Sequence, residues 1–481
     1  MISFETLQLH KNEKSCWIVI HGFAYDITKF LSVHPGGRKI LVKYAGNDAT
    51  AEFQKYHSPN IVDFLEKEYH LGPVDLSSFP KVDAKKSKVT RTTILPPISA
   101  VLNLFDFENL AKSTLSAEGW AYYSSGGEDE LSLRENHQVF NRVYLKPRVL
   151  VNVKKVDLST TFFKTKVSMP IYVTATALGK LGHPEGEVIL TMAAGTRGVI
   201  QMIPTLASCS LDEMINAAIS SQTQWFQLYV NCNRDLTRSI IQKAENAGVK
   251  AICVTVDAPQ LGRREKDMRV KFEDDAPAFQ TEENLTVRNS GAARAISTFI
   301  DPSLSWSDIP WLKASCRVPL LLKGIQSGED AVIAASYGVD GIIVSNHGGR
   351  QLGTVRSGLE ILQEVVKALK DSGNAGKMEI YMDGGIRRGA DIFKALAIGA
   401  SGCGLGRPFL YAMSTYGQSG VEKAIDILYE ELEMVMRLMG VTSIKDINAN
   451  HVVANELCNN RFSTDALSES VYQKMSPLSK L

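Results

Sequence analysis

A barrel of eight parallel strands alternating with helices, preceded by a small α+β domain, is the fold class this sequence predicts. Three observations predict it. From about residue 170, short apolar runs alternate eight times with amphipathic helical text. The ends of those runs carry reactive side chains and glycines, where α/β barrels build their sites. Ahead of them, residues 1 to about 76 mix short strand and helix signals and end in a polar stretch without hydrophobic period.

The chain of 481 residues has room for one large and one small domain. Its hydrophobic fraction of 44% and charged fraction of 22% are those of a soluble globular protein. A formal charge of +1 gives no electrostatic reason to expect nucleic acid or an anionic membrane as partner. No apolar run reaches membrane-spanning length, and the N-terminus lacks a signal or transit pattern. Seven cysteines (Cys16, Cys209, Cys232, Cys253, Cys316, Cys403, Cys458) are odd in number and never in C-x-x-C spacing. That argues against a disulfide framework, a zinc site or covalent haem attachment, and for reduced thiols inside a cell. Ser479-Lys480-Leu481 matches a peroxisomal address, so import by its receptor into the peroxisome matrix is expected, with cytosol or mitochondrial intermembrane space as alternatives.

In the N-terminal domain, strand signals at Cys16-Trp17-Ile18-Val19-Ile20 and Phe23-Ala24-Tyr25-Asp26 surround two histidines, His34 in H-P-G-G and His57 in Y-H-S-P-N. Each stands beside a helix-stopping Pro or Gly, and neutral imidazoles suit the two axial positions of a haem. W-I-V-I-H-G-F-A-Y-D-I-T-K-F, H-P-G-G, A-T-A-E-F and Y-H-S together resemble the cytochrome b5 family over the whole segment. The resemblance implies non-covalent haem b, with His34 and His57 as its iron ligands and no open coordination site.

Residues 77–98 read as a hydrated hinge rich in Ser, Lys, Pro and Asp. The barrel domain is expected over 99–450, followed by a tail over 451–481. Its eight runs are Ile171-Tyr172-Val173, Val199 to Met202, Trp225 to Val230, Ala251 to Val256, Pro319 to Leu322, Gly341 to Val344, Glu379 to Met382 and Gly402 to Leu405. A doubly wound sheet is the alternative, but no G-x-G-x-x-G follows the first run. After the sixth comes S-N-H-G-G-R-Q-L, where His347 offers a base titrating near neutrality and Arg350 a fork for a carboxylate. Asp383-Gly384-Gly385-Ile386-Arg387-Arg388 and Gly404-Leu405-Gly406-Arg407 follow the last two runs, as a barrel phosphate site requires. Some 60 residues separate the fourth and fifth runs, and their charged stretch 271–294 is expected to cover the mouth.

Y-Y-S-S-G, Q-L-Y-V, V-T-V-D-A-P-x-L-G-R-R-E-x-D, S-N-H-G-G-R-Q-L, D-G-G-I-R-R-G and G-L-G-R-P-F-L-Y stand in the order of the FMN-dependent L-2-hydroxy-acid oxidising enzymes. Placed behind a cytochrome b5-like module, they resemble the flavocytochrome b2 family, a TIM (β/α)8 barrel fused to a haem domain. The resemblance implies His347 as base, Asp257 as its partner, Arg350 and Tyr122 on the substrate carboxylate, and Tyr229 on its hydroxyl. It implies Arg264 as a second, movable arginine. Ala177 and Leu206 would shape the side-chain pocket, with room for the methyl of lactate. Lys323 would lie by the flavin ring with Gln227 and Thr255, beside Thr174, Ala175 and Thr176. Asp383 would meet the ribityl chain, and Gly385, Arg387, Gly406 and Arg407 the phosphate. Hydrogen leaves the α-carbon as hydride or as a proton, and both remain open. Two departures from the family text, Pro204 for serine and Gly353 for aspartate, imply altered flavin affinity or potential.

The implied activity is oxidation of a 2-hydroxy acid with electrons relayed through haem to a cytochrome c-like protein, in a homotetramer. The alternatives are a peroxisomal oxidase that reduces dioxygen to hydrogen peroxide, and a non-catalytic redox sensor.

Overall fold

The computed structural model describes residues 1–32, 34, 38–57, 62, 67–79, 95–273, 299–455 and 457. Pro35-Gly36-Gly37, most of the hinge, most of the expected cover, Cys458 and the Ser-Lys-Leu ending lie outside them. Among the described residues, no helix is long and apolar enough to cross a membrane.

The small domain is a four-stranded sheet in the order β1 (Lys11–Asn12), β2 (Ser15–Ile20), β3 (Phe23–Asp26), β4 (His70–Pro73), antiparallel throughout. Among the described residues, three α-helices accompany it: α1 (Phe4–Gln8), α2 (Arg38–Lys43) and α3 (Thr50–Tyr56). Alternation along β2 sends Ile18 and Ile20 into one cluster with Tyr25 and Leu31, and Val19 into another with Leu7 and Val74. Both faces of the sheet are therefore covered.

Three helices lead into the large domain: α4 (Leu104–Thr114), α5 (Ala117–Ser124) and α6 (Leu131–Gln138). Asn103 and Asp106 form a capping box at α4, and the Ser116 hydroxyl accepts the Gly119 N–H to start α5. Strand β5 (Tyr144–Leu145) pairs with a distant two-residue strand, Val452–Val453, and β6 (Thr160–Phe162) and β7 (Thr165–Val167) form a hairpin.

The barrel follows: β8 (Ile171–Val173), β9 (Ile200–Pro204), β10 (Gln224–Leu228), β11 (Ile252–Thr255), β12 (Leu320–Ile325), β13 (Gly341–Val344), β14 (Glu379–Asp383) and β15 (Gly402–Leu405). All neighbours are parallel and β15 closes on β8. Each of the eight expected runs overlaps one of these strands.

The two-residue side-chain period divides the barrel interior into layers. The lower layer is apolar: Tyr172, Met202, Trp225, Cys253, Leu321, Ile343 and Tyr381 pack together, closed below by Phe162 of the hairpin. Trp225 and Tyr381 meet with ring centroids 5.3 Å apart, so this end is a plug. Two residues further along the same strands stand Thr174, Pro204, Gln227, Thr255, Lys323, Ser345 and Asp383. Polarity is thereby confined to the C-terminal mouth. Residues in the other register, such as Val254, Leu322, Ile342 and Met382, face the helices and form the main core.

Candidate active site

At the end of β13 the backbone enters the left-handed region at His347 (φ 58°), Gly348 (63°) and Gly349 (71°). Glycine tolerates this and histidine does so only under constraint. The constraint is visible: the Ser345 hydroxyl accepts the His347 N–H at 3.0 Å, and the Asn346 side chain accepts the Gly349 N–H at 3.0 Å. A Cβ at Gly349 would stand 2.5 Å from the Leu133 nitrogen, so α6 fits only against glycine there.

His347 Nδ1 lies 2.8 Å from Oδ1 of Asp257, whose side chain is fully covered and whose carboxylate only accepts. Nδ1 therefore carries the proton, and Nε2 offers a lone pair. Burial lowers the His347 pKa and Lys323 adds to this, outweighing the pull of Asp257, so the imidazole is neutral at physiological pH. Burial opposes ionisation of Asp257, but His347 and Lys323 outweigh it and its pKa is lowered.

Lys323 sits buried at the next strand, 3.5 Å from Asp383 and 4.0 Å from Asp257. Burial would discharge it, yet the two carboxylates dominate and raise its pKa. Its ammonium also donates to Ser345 at 3.1 Å, and the Ser345 hydroxyl donates to Asp383 at 2.6 Å. A fixed cation thus lies beneath the mouth, held by groups from three other strand ends.

Around the rim, Arg350 donates to the Tyr122 carbonyl at 2.7 Å and stacks over the Tyr122 ring at 4.8 Å. Arg264, also buried, donates to the Arg350 carbonyl. Burial and the neighbouring Arg350 charge lower the Arg264 pKa to about 9. Two guanidiniums converging in one pocket call for an anion between them. Tyr229 lines the same space, its pKa pushed up to about 12 by burial and then by Asp257, so it stays a hydroxyl donor. Ala177 and Leu206 line the pocket as well, and Leu206 packs into the small apolar cluster holding Tyr229 and Ala258.

These residues border a cleft with about 1260 Å³ of space between its walls, part of it open to solvent. Thr174, Ala175, Thr176, Gln227, Thr255, Asp383, Gly385, Arg387, Gly406 and Arg407 line it too. Gln227 donates to the Thr255 hydroxyl at 3.0 Å. The Thr174 and Thr176 hydroxyls are buried without a hydrogen-bond partner, as expected of groups that await a polar ligand. FMN fits this cleft: hydroxyls without partners, a buried cation, a positive-φ glycine (Gly385, 83°) and two arginines all border it. Arg407 is already heavily engaged, donating to the carbonyls of Tyr123, Gly348 and Ser125, while Arg387 pairs with Glu108 at 3.2 Å. Both are therefore oriented by protein groups where they line the cleft.

In the small domain the His34 and His57 rings meet edge-on, with centroids 6.3 Å apart and planes inclined at 63°. That gap admits one metal atom between two ring nitrogens. Burial, and then His34, lowers the His57 pKa to about 4, leaving the neutral form a metal requires. Haem fits here.

Several residues at the site were not anticipated from the sequence. Asn136 and His137 of α6 line the cleft; Asn136 exchanges amide hydrogen bonds with Asn346, and His137 Nδ1 lies 3.0 Å from the Gly385 carbonyl. Two polar residues adjacent in R-E-N-H were the available signal. Thr205 follows Pro204, and its hydroxyl donates to the Gln227 carbonyl and accepts the Tyr229 N–H. Glu128 fills the space beside Gly353, its Oε2 accepting the Gly353 N–H at 3.0 Å.

The model of the cytochrome b5-like heme/steroid-binding domain matches residues 3–75, and that of the FMN-dependent dehydrogenase matches residues 111–454. This chain belongs to the FMN-dependent dehydrogenase family. An L-lactate dehydrogenase (cytochrome) of Wickerhamomyces anomalus is 47% identical over 98% of this chain and 83% of its own length. One of Saccharomyces cerevisiae is 48% identical over 91% of this chain and 77% of its own. A solved double mutant of flavocytochrome b2 with pyruvate bound superposes with a TM-score of 0.72 at 47% identity, covering 80% of this chain and 95% of that one. As a member of this family with a cytochrome b5-like domain, the chain is a flavohaem oxidoreductase whose cofactors are FMN and haem.

Proposed function

We propose that this chain oxidises L-lactate to its 2-oxo acid and passes the electrons through haem to an external protein acceptor. The observation that carries this is the neutral His347, held by Asp257, beside two arginines, buried Arg264 and half-buried Arg350, that line one pocket.

Arg350 and Arg264 bind the substrate carboxylate, which relieves their mutual repulsion. Tyr229 donates to the hydroxyl, and Ala177 and Leu206 enclose the methyl. A proton leaving the substrate goes to His347 Nε2, and Asp257 stabilises the imidazolium that results. FMN supplies the acceptor for two electrons and haem a one-electron relay. Lys323 offers fixed positive charge where negative charge develops.

An absorption spectrum before and after anaerobic L-lactate tests this. Bleaching of the flavin followed by the reduced-haem spectrum is expected; a bleached flavin above an oxidised haem would sink the relay. Peroxide formed in proportion to lactate would favour the oxidase reading, which draws its support from Ser479-Lys480-Leu481. Deleting that tripeptide and following the protein by microscopy tests peroxisomal import.

We also propose a homo-oligomer, a tetramer by preference. Val149 and Leu150 are 82% and 104% exposed, and Met434 and Leu438 are 52% and 69% exposed. The Arg148 N–H bonds the Met439 carbonyl, which brings these two segments into one apolar face. A monomeric mass by light scattering would refute assembly.

A further inference from the structure

Tyr56 ends α3 immediately before His57, yet its side chain belongs to the other domain. Its ring packs against the large domain's core, and its hydroxyl donates to Oε1 of Glu118 in the first turn of α5. The same α3 rests on the one-turn helix Gly179–Leu181 beyond β8. That turn in turn touches α5, since a Cβ at Gly119 would stand 2.9 Å from the Leu181 carbonyl. One helical turn past Glu118, α5 carries Tyr122, whose ring lies against Arg350. A single hydrogen bond thus joins the residue next to an iron ligand to the helix that forms one wall of the substrate pocket.

We infer that Tyr56 and Glu118 are a positioning pair that fixes the haem module on the barrel in the arrangement through which electrons cross. This rests on the relay proposed above. Hydrogen bonds to an ionised partner are the stronger kind. Interfaces between domains of one chain are small and mobile by default, so such a bond, added to the packing of Tyr56 and α3, helps hold this one closed. Electron transfer falls steeply with distance, and a module that undocks stops receiving electrons without any change in the flavin chemistry.

The test uses the full chain with both cofactors and Tyr56→Phe, Glu118→Gln and Glu118→Ala variants. Mixed anaerobically with L-lactate, Tyr56→Phe and Glu118→Ala should reduce flavin at the parent rate and haem about tenfold more slowly. Glu118→Gln, which keeps an acceptor oxygen, should fall between them and the parent. The double variant Tyr56→Phe/Glu118→Ala should be no slower than either single one, because both remove the same bond. Without substrate, backbone amides of residues 117–124 should exchange hydrogen faster in the variants. Parent-like haem reduction, equal slowing of flavin and haem, or additive losses in the double variant would each overturn the pair. A parent enzyme that never reduces its haem would defeat the relay instead, and the exchange experiment would still decide whether Tyr56 and Glu118 dock the domains.

Discussion

His347 and Asp257 meet at 2.8 Å across 90 positions of sequence, one from the end of β13 and one from the end of β11. Their pairing fixes the tautomer and places the free nitrogen towards the pocket. Much of the proposed chemistry depends on it.

His347→Gln removes the proton acceptor while preserving volume and polarity. Flavin reduction should fall by about 10²–10⁴-fold with FMN still bound, as judged by stopped-flow absorbance and by the flavin content of the purified protein. Undiminished reduction would show that the base lies elsewhere.

The same residue sets the acid limb of the rate profile. Since its pKa is lowered from 6.5, the neutral base persists as pH drops through that value. The rate of flavin reduction should stay level near neutrality and decline only at more acid pH. Asp257→Asn, which removes the carboxylate, should weaken the imidazolium and depress the plateau itself.

Arg350→Lys keeps the charge and loses the fork. An ammonium cannot serve the Tyr122 and Ser125 carbonyls and a carboxylate together. The specificity constant for lactate should drop by about tenfold to a hundredfold, from the worth of charged hydrogen bonds.

Lys323→Met leaves Asp257 and Asp383 buried without their cation. A loss of about 3–5 kcal/mol is expected in denaturant melts. Losing the Lys323 charge raises the Asp257 pKa relative to the parent, because that charge helps hold it down against burial. The folded variant then takes up a proton more readily than the folded parent, and its deficit against the parent should shrink as pH falls through the Asp257 titration.

Gly353→Asp restores the residue that the family text leads one to expect, and the structure says it will not fit. Its Cβ would stand 2.4 Å from Glu128 Oε2, adding a second carboxylate against the first. The variant should melt lower than the parent, and Glu128→Ala should rescue it more than additively. Simple additivity would mean that the two positions are independent.

The strands and their reactive ends were legible because a barrel strand is short, apolar and followed by punctuation. His347, Arg350, Lys323 and Asp383 each stand within a few residues of such a run, where local sequence and position in the fold coincide. Asn136, His137 and Glu128 were not legible for the opposite reason. They come from α6 and the loop before it, outside the repeating strand-helix units; Asn136 and His137 line the cleft, and Glu128 meets the loop after β13 at Gly353. Thr205 was hidden by its neighbour: Pro204 reads as a lost hydroxyl, while the next residue supplies one to Gln227 and Tyr229.

By itself the sequence determined the eight strands, the two-domain order and the chemical types at the strand ends, because hydrophobic period and turn residues act over a few positions. Tertiary structure alone decided which register faces inward, so that Tyr172 and Trp225 seal the base while Thr174 and Gln227, two residues on, open to the cleft. It also decided that Glu128 would take the place beside Gly353, and that Tyr56 would reach Glu118. Contacts of that kind arise from the closure of the barrel and the docking of one domain on another, and no local pattern encodes them.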